Sequence, residues 1–248
     1  MKVPANWFLE WFNSPYYHQL YAEHDHQEAV SFIDRLLELL VPALGSKMVD
    51  IACGRGRHAR ILASKGFDVT GIDLAPENIA YARRFDSGNL HFYVHDMRLP
   101  FMINYFDFAF NFFTSFGYFR SDREHYAAVR TISRCLKRSG LLVVDYLNSA
   151  YVEDHFIPRS EKQVEAVTFY MTRWFDETHF YKRILVEDES RKEPLEFVER
   201  VAKFSLGDFS EMFCYHGLQI KEVFGDYQLR PYDVKKSPRL ILLATREK

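Results

Sequence analysis

The chain has 248 residues, with 32 Lys plus Arg against 34 Asp plus Glu and a formal net charge of −2. So even a balance, without a long basic run, argues against an electrostatic grip on nucleic acid or anionic lipid, while 48% apolar residues suffice for a full core. Cys53, Cys135 and Cys214 form neither a disulfide framework nor a zinc motif, and no apolar run suits a signal peptide or approaches the roughly 18 residues of a membrane span, so a soluble cytoplasmic protein is expected.

In chain order, residues 5–22 are crowded with aromatics, from Trp7 to Tyr21, and are expected to form a cap that packs on another part of the chain. Aromatics beyond the needs of a core often line a ligand cavity, although an aromatic-rich core is an equal alternative. His18, His24, Asp25 and His26 follow no zinc-ligand spacing, and no metal is assigned to them. Apolar residues at helical spacing predict a helix over 27–40, and a first segment of 1–44 comprises this helix and the cap.

A strand–helix alternation follows. Strands are expected at 48–52, 67–72, 90–94, 106–110 and 141–146, with helices at 58–65, 76–85 and 122–137. Such alternation implies a parallel sheet with helices on both faces. Residues 45–150 are read as the ligand-binding core. Between 151 and 205 the alternation stops, and strands at 164–175, 178–186 and 195–204 without helices between them predict a three-stranded antiparallel insertion. Residues 206–248 return to the core as helix (208–216), strand (218–224) and strand (240–245).

The stretch from Val49 to His58 carries the chemistry. A strand ends at Asp50, Ile51 and Ala52, and Gly54 and Gly56 let the backbone approach a ligand before a helix whose first N–H groups are free. Gly54, Gly56 and Ala59 also satisfy a loose dinucleotide fingerprint, and Asp73 at the end of the second strand is placed to receive two ribose hydroxyls. A nicotinamide-dependent oxidoreductase is therefore a rival reading. Asp96, past the third strand, and the terminal helix–strand–strand separate the two, because neither belongs to the dinucleotide pattern.

In combination, D-I-A-C-G-R-G-R-H, G-I-D-L-A-P-E-N-I, H-D-M-R-L-P-F and L-K-R-S-G-L-L-V-V-D resemble successive motifs of the class I S-adenosylmethionine (SAM)-dependent methyltransferases over about 45–148 and 206–248. The resemblance implies a seven-stranded, mostly parallel Rossmann-like sheet with the antiparallel insertion as a lid. It also implies SAM as cofactor, with Asp50 orienting its amino acid end and Ala52, Gly54 and Gly56 passing their backbone beside it. Asp73 would hold the ribose, Leu74 would pack on the adenine, Asp96 and Met97 would take its amino group and ring edge, and Asn111 would face the methionine part. Ala52 replaces a common glycine, and Arg138-Ser139-Gly140 replaces a usual Pro-Gly-Gly.

Asn111-Phe112-Phe113-Thr114 lacks the two prolines found in methyltransferases of base and glutamine amino groups, which favours a small-molecule acceptor. Its continuation, Thr114 to Phe119, is similar to a segment of small-molecule N-methyltransferases, although Phe112, Phe116 and Phe119 suit ordinary core packing equally well. If the acceptor is an amine, proton-accepting candidates are Tyr17, Tyr118, Tyr146, His155 and His179, none singled out by spacing. Asp145 and Asn148 resemble part of a magnesium site, but Asn111 stands where its other carboxylate would be, so no metal is assigned. Residues 151–205 and the N-terminal aromatics are expected to enclose the acceptor, the alternative being a homodimer-forming sheet. A non-catalytic SAM-binding protein would carry the same cofactor motifs.

Overall fold

The computed structural model describes residues 7–21 and 26–247. Helix α1 (Trp7–Asn13) passes into α2 (Pro15–Leu20), where the Ser14 hydroxyl caps the backbone N–H of Tyr16 at 3.2 Å and Pro15 supplies a preset first-turn φ. The helical spacing then yields α3 (His26–Leu40), which buries Ala29, Phe32, Ile33 and Leu36 on one face. His24 and Asp25, from the dismissed metal constellation, lie outside the described residues.

Next come β1 (Lys47–Ile51), α4 (Arg57–Ser64), β2 (Asp68–Asp73), α5 (Pro76–Ala82), β3 (Leu90–Val94), β4 (Phe106–Asn111), α6 (Asp122–Cys135) and β5 (Leu136–Leu147). The interior strands are buried almost throughout, as strands covered on both faces must be. Met48 joins the core formed with α3 and α4, whereas Val49 and Ile51 lie with Thr131, Ile132 and Cys135 of α6, so alternate residues of β1 serve two helical layers. Strand β5 begins five residues earlier than the 141–146 expected. It passes through Ser139 at φ 60°, beside a register irregularity against β4, so Ser139-Gly140 makes a kink within a strand.

After α7 (Ser149–Asp154), β6 (Arg159–Val164), β7 (Val167–Phe175), β8 (His179–Asp188) and β9 (Leu195–Ala202) form an antiparallel sheet in that order. It has four strands, not the expected three, because the polar stretch RSEKQV pairs with β7 from Arg159↔Thr172 to Val164↔Val167. The chain returns through α8 (Leu206–Tyr215), started by a reciprocal Ser205–Asp208 capping box, to β10 (Leu218–Phe224) and β11 (Arg239–Arg246). The large sheet has the order β10-β11-β5-β4-β1-β2-β3, with β11 antiparallel to both neighbours and the other pairings parallel. The order reverses between β1 and β4, which defines the switch point at which open α/β sheets bind ligands.

The contacts divide the chain into two units, one of residues 1–24 and 153–203, the other of 25–152 and 204–248. In the first, the aromatic cap has found its surface. Trp11, fully buried, donates from Nε1 to Glu199 Oε1 at 2.6 Å and packs 4.7 Å from the Phe197 ring. Tyr16 donates to Asp188 at 2.6 Å, and Lys182 and Tyr21 both converge on Glu199, at 2.8 and 3.1 Å. The second unit holds the large sheet and α3, which the sequence had joined to the cap. Among the described residues no helix is long and apolar enough to cross a membrane.

Candidate functional site

The glycine loop lies at the switch point. Ala52, Gly54 and Gly56 all have left-handed φ, of 60°, 56° and 77°. For Ala52 this conformation is a strain of the kind concentrated at functional sites. A Cβ at Gly56 would stand 2.5 Å from the Phe92 ring, so that position admits only glycine. One at Gly54 would meet no protein atom within 4 Å, so the chain there borders open space that a ligand can enter.

Asp73 braces this loop. Its Oδ2 accepts from Gly54 N and its Oδ1 from Ala75 N, each at 2.8 Å, which leaves one lone pair on each oxygen for a further donor. Burial pushes its carboxyl up, and the two backbone N–H groups work against that. Leu74, beside it, is half-buried. Asp50 is 1% exposed and accepts from Ala59 N in the first turn of α4 at 3.2 Å. At the end of β4, Asn111 is fully buried. Its Nδ2 donates to Ile51 O at 2.9 Å, which ties the two strand ends of the switch point together, and its Oδ1 has no hydrogen-bond partner among the described residues. A buried unpaired acceptor is costly and calls for a donor.

Burial drives the Asp50 carboxyl up to about 7, helped by the charge of Asp73 and opposed by Ala59 N–H and Arg57. Between the ordinary aspartate value and about 7 the folded protein therefore holds a proton that the unfolded chain has released, and stability must fall as pH rises through that window. Asp50→Asn should flatten this fall. We expect urea midpoints of the wild type, measured from pH 5 to pH 8, to decline relative to those of the variant; parallel profiles would contradict it.

Asp96 and Met97 do not stand free. The Asp96 carboxylate is engaged by Arg98, and the Met97 carbonyl accepts from the Thr131 hydroxyl. Met97 also lines a narrow apolar gap with Ile51, Ile72, Phe101 and Ile132. Beyond Asn111, Phe112 stacks on Phe110 (5.2 Å) and meets His58 (4.7 Å) and Phe32 (5.7 Å). Burial, with the nearby Arg57, lowers His58 to about 3, so this imidazole is neutral at physiological pH. Phe112, Phe116 and Phe119 are all buried, the packing alternative for them. Phe113 and Thr114 are left-handed, at φ 58° and 53°, and their N–H groups bond Asp145 Oδ2 and O at 2.8 and 2.9 Å.

Asp145 itself is 1% exposed and holds Arg239 Nε at 2.7 Å and the Tyr227 hydroxyl at 3.1 Å, while Arg239 Nη2 donates to Thr114 Oγ1 at 2.9 Å. The Asn148 amide is spent on Val234 O and Ser237 O. Asp145 thus braces the loop after β4, and Asn148 braces the segment before β11. Cys53 is a buried filler whose thiol burial pushes well above its ordinary range.

The proton-acceptor candidates scatter. Tyr146 is fully buried among Phe204 and Phe209, and burial raises its phenol. Tyr17 stacks within the aromatic cap, His155 is exposed, and His179 Nδ1 sits 2.8 Å from Thr178 Oγ1, all three in the first unit. Tyr118, partly exposed, lies in the loop after β4. Sequence reasoning missed Arg98, Arg239 and His58. Arg98 and His58 sit inside motifs that were read for their neighbours, and Arg239 stands 94 residues from its partner.

Comparison with known proteins agrees with this geometry. Residues 49–144 match the methyltransferase domain family. The chain is 30% identical over 122 residues to the dTDP-3-amino-3,4,6-trideoxy-alpha-D-glucopyranose N,N-dimethyltransferase of Streptomyces venezuelae, a match covering 49% of this chain and 50% of that protein. It spans about half the length of the curated relatives it matches. Among solved structures, a SAM-dependent methyltransferase from Clostridium acetobutylicum superimposes with TM-score 0.79 at 17% identity, covering 94% of this chain and 96% of that one. SAM-bound CalS10, an amino pentose methyltransferase from Micromonospora echinaspora, gives 0.66 at 25% identity, covering 89% and 91%. Residues 49–144 match a methyltransferase domain, and the chain around them has the fold of a solved SAM-dependent methyltransferase.

Proposed function

We propose that the protein transfers the methyl group of SAM to an amine on a small molecule. The observation that carries the reading is the set of acceptors around the glycine loop: Asp73, Asp50 and the partnerless Asn111 Oδ1, beside the open space at Gly54. Two ribose hydroxyls and the ammonium of SAM are donors such a set would take. When bound, SAM supplies a methyl already activated by a sulfonium. The protein's own residues then have to orient and exclude water. Asp73 would hold the ribose, Asn111 and Asp50 the amino acid end, and the Phe112 wall would keep the strand ends dry.

An amine is favoured by the amino-sugar methyltransferases that this chain resembles, one by sequence and one by fold. Tyr118 is the proton acceptor we propose, on its partial exposure and its place in the loop that continues from Asn111. The test is incubation with SAM and a panel of small amines, nucleotide-linked amino sugars included, with detection of S-adenosylhomocysteine and mass analysis of the product. Turnover on an amine supports the reading. Binding of S-adenosylhomocysteine without turnover on any amine would favour a different acceptor or a non-catalytic role. Tight binding of a nicotinamide dinucleotide with no response to SAM would overturn the cofactor itself.

A further inference from the structure

Arg98 spends one planar cation on two carboxylates. Toward Asp96 its Nε donates to Oδ1 and Oδ2 at 3.0 and 3.1 Å and its Nη2 to Oδ2 at 2.6 Å, while its backbone N–H meets Oδ1 at 2.9 Å. In the opposite direction Nη1 reaches Glu124 Oε1 in the first turn of α6 at 2.5 Å, and the guanidinium lies 4.9 Å from the centre of the Phe119 ring. Glu124 turns its other oxygen to the backbone N–H of Arg120 at 2.9 Å. One side chain thus joins the turn after β3, the loop from Phe112 to Ser121, and α6.

This is not a solvated surface pair. The side chains of Arg98, Asp96 and Glu124 are 27%, 16% and 31% exposed. Burial alone would raise the Asp96 carboxyl, yet its hydrogen bonds to Arg98 hold it below the ordinary range. Three N–H donors, of which Nε is shared between the two oxygens, are set against about four lone-pair sites; they fix the rotation of the carboxylate and leave room for one more donor. The forked geometry is what fixes the rotation, and a lysine ammonium could not reproduce it.

We propose that Arg98 is a positioning residue, which presents the free acceptor site of Asp96 to the 6-amino group of the cofactor's adenine and, through Glu124, makes that contact depend on the ordered loop after β4. The inference rests on the SAM reading of the site. It says that the adenine end and the loop that follows Asn111 are held by one connector.

Calorimetric titration with S-adenosylhomocysteine, and with its analogue lacking the 6-amino group, tests this on the full chain. Arg98→Ala should weaken S-adenosylhomocysteine about tenfold and the analogue by no more than about twofold, with Arg98→Lys intermediate. Glu124→Gln should weaken S-adenosylhomocysteine by about threefold in the wild-type background and add nothing to Arg98→Ala, because both act through one connector. Equal losses for the two ligands would reduce Arg98 to a general stabiliser and overturn the inference, as would additive effects of the two substitutions. A wild-type protein that binds neither ligand would overturn the cofactor reading, and the inference with it.

Discussion

Replacing Asp73 by alanine should weaken binding of S-adenosylhomocysteine by about 1.5–3 kcal/mol, the range for hydrogen bonds to a charged acceptor. Two effects combine. The variant loses the acceptor proposed for the ribose hydroxyls, and it releases Gly54 N and Ala75 N, which now share the carboxylate at 2.8 Å each. Asp73→Asn separates them, since its amide oxygen can still receive one backbone N–H while its NH2 group cannot accept a hydroxyl. We expect the asparagine variant, which keeps one of the two backbone bonds, to be less destabilised than the alanine variant and to bind almost as poorly. An unchanged dissociation constant for both variants in calorimetry would remove Asp73 from the site.

Arg239→Met should destabilise the fold by about 3–5 kcal/mol, the cost of stranding a buried charge. The partner left behind is Asp145, which is 1% exposed and would keep only Phe113 N–H and the Tyr227 hydroxyl to face its charge. Burial acts to lower the Arg239 pKa, but Asp145 and Tyr227 outweigh it, so the cation is held firmly. Thr114 Oγ1 loses its donor at the same time, and with it one restraint on two consecutive left-handed residues. The double variant Arg239→Met with Asp145→Leu should recover part of the loss, because two apolar side chains can replace a buried pair at little cost. Urea unfolding of the three proteins provides the check. A single-variant loss below about 1 kcal/mol would show that water reaches the pair.

The large sheet was legible because its strands are short buried runs set between helices. The 90–94 strand was placed to the residue, and the glycine turn after β1 and the two terminal strands followed from local pattern. The strand Arg159–Val164 was not legible. It has no β-branched run, half its residues are exposed, and it is a strand because β7 offers it an edge. The braces of the site escaped for a related reason. Asp96 was read as a ligand acceptor from its motif, yet nothing local says that Arg98 will take most of its lone pairs. Asp145 resembled part of a magnesium pattern that Asn111 already broke, and nothing local says that Arg239 will pair with it across 94 residues. Long-range polar pairs carry no periodicity, so composition and spacing are silent about them.

The first unit joins chain segments that lie more than a hundred residues apart, with Trp11 of α1 seated against Phe197 and Glu199 of β9. On the ribosome, α1 emerges long before the sheet that buries it. At roughly 5–20 residues per second, Trp7, Phe8 and Trp11 wait on the order of ten seconds or more for their partner surface. Meanwhile the segment from α3 onward can begin forming its parallel sheet. The nascent chain therefore carries an exposed aromatic segment while the residues between α1 and β9 are made, and that interval, rather than the folded unit, is where aggregation or chaperone capture has its opening.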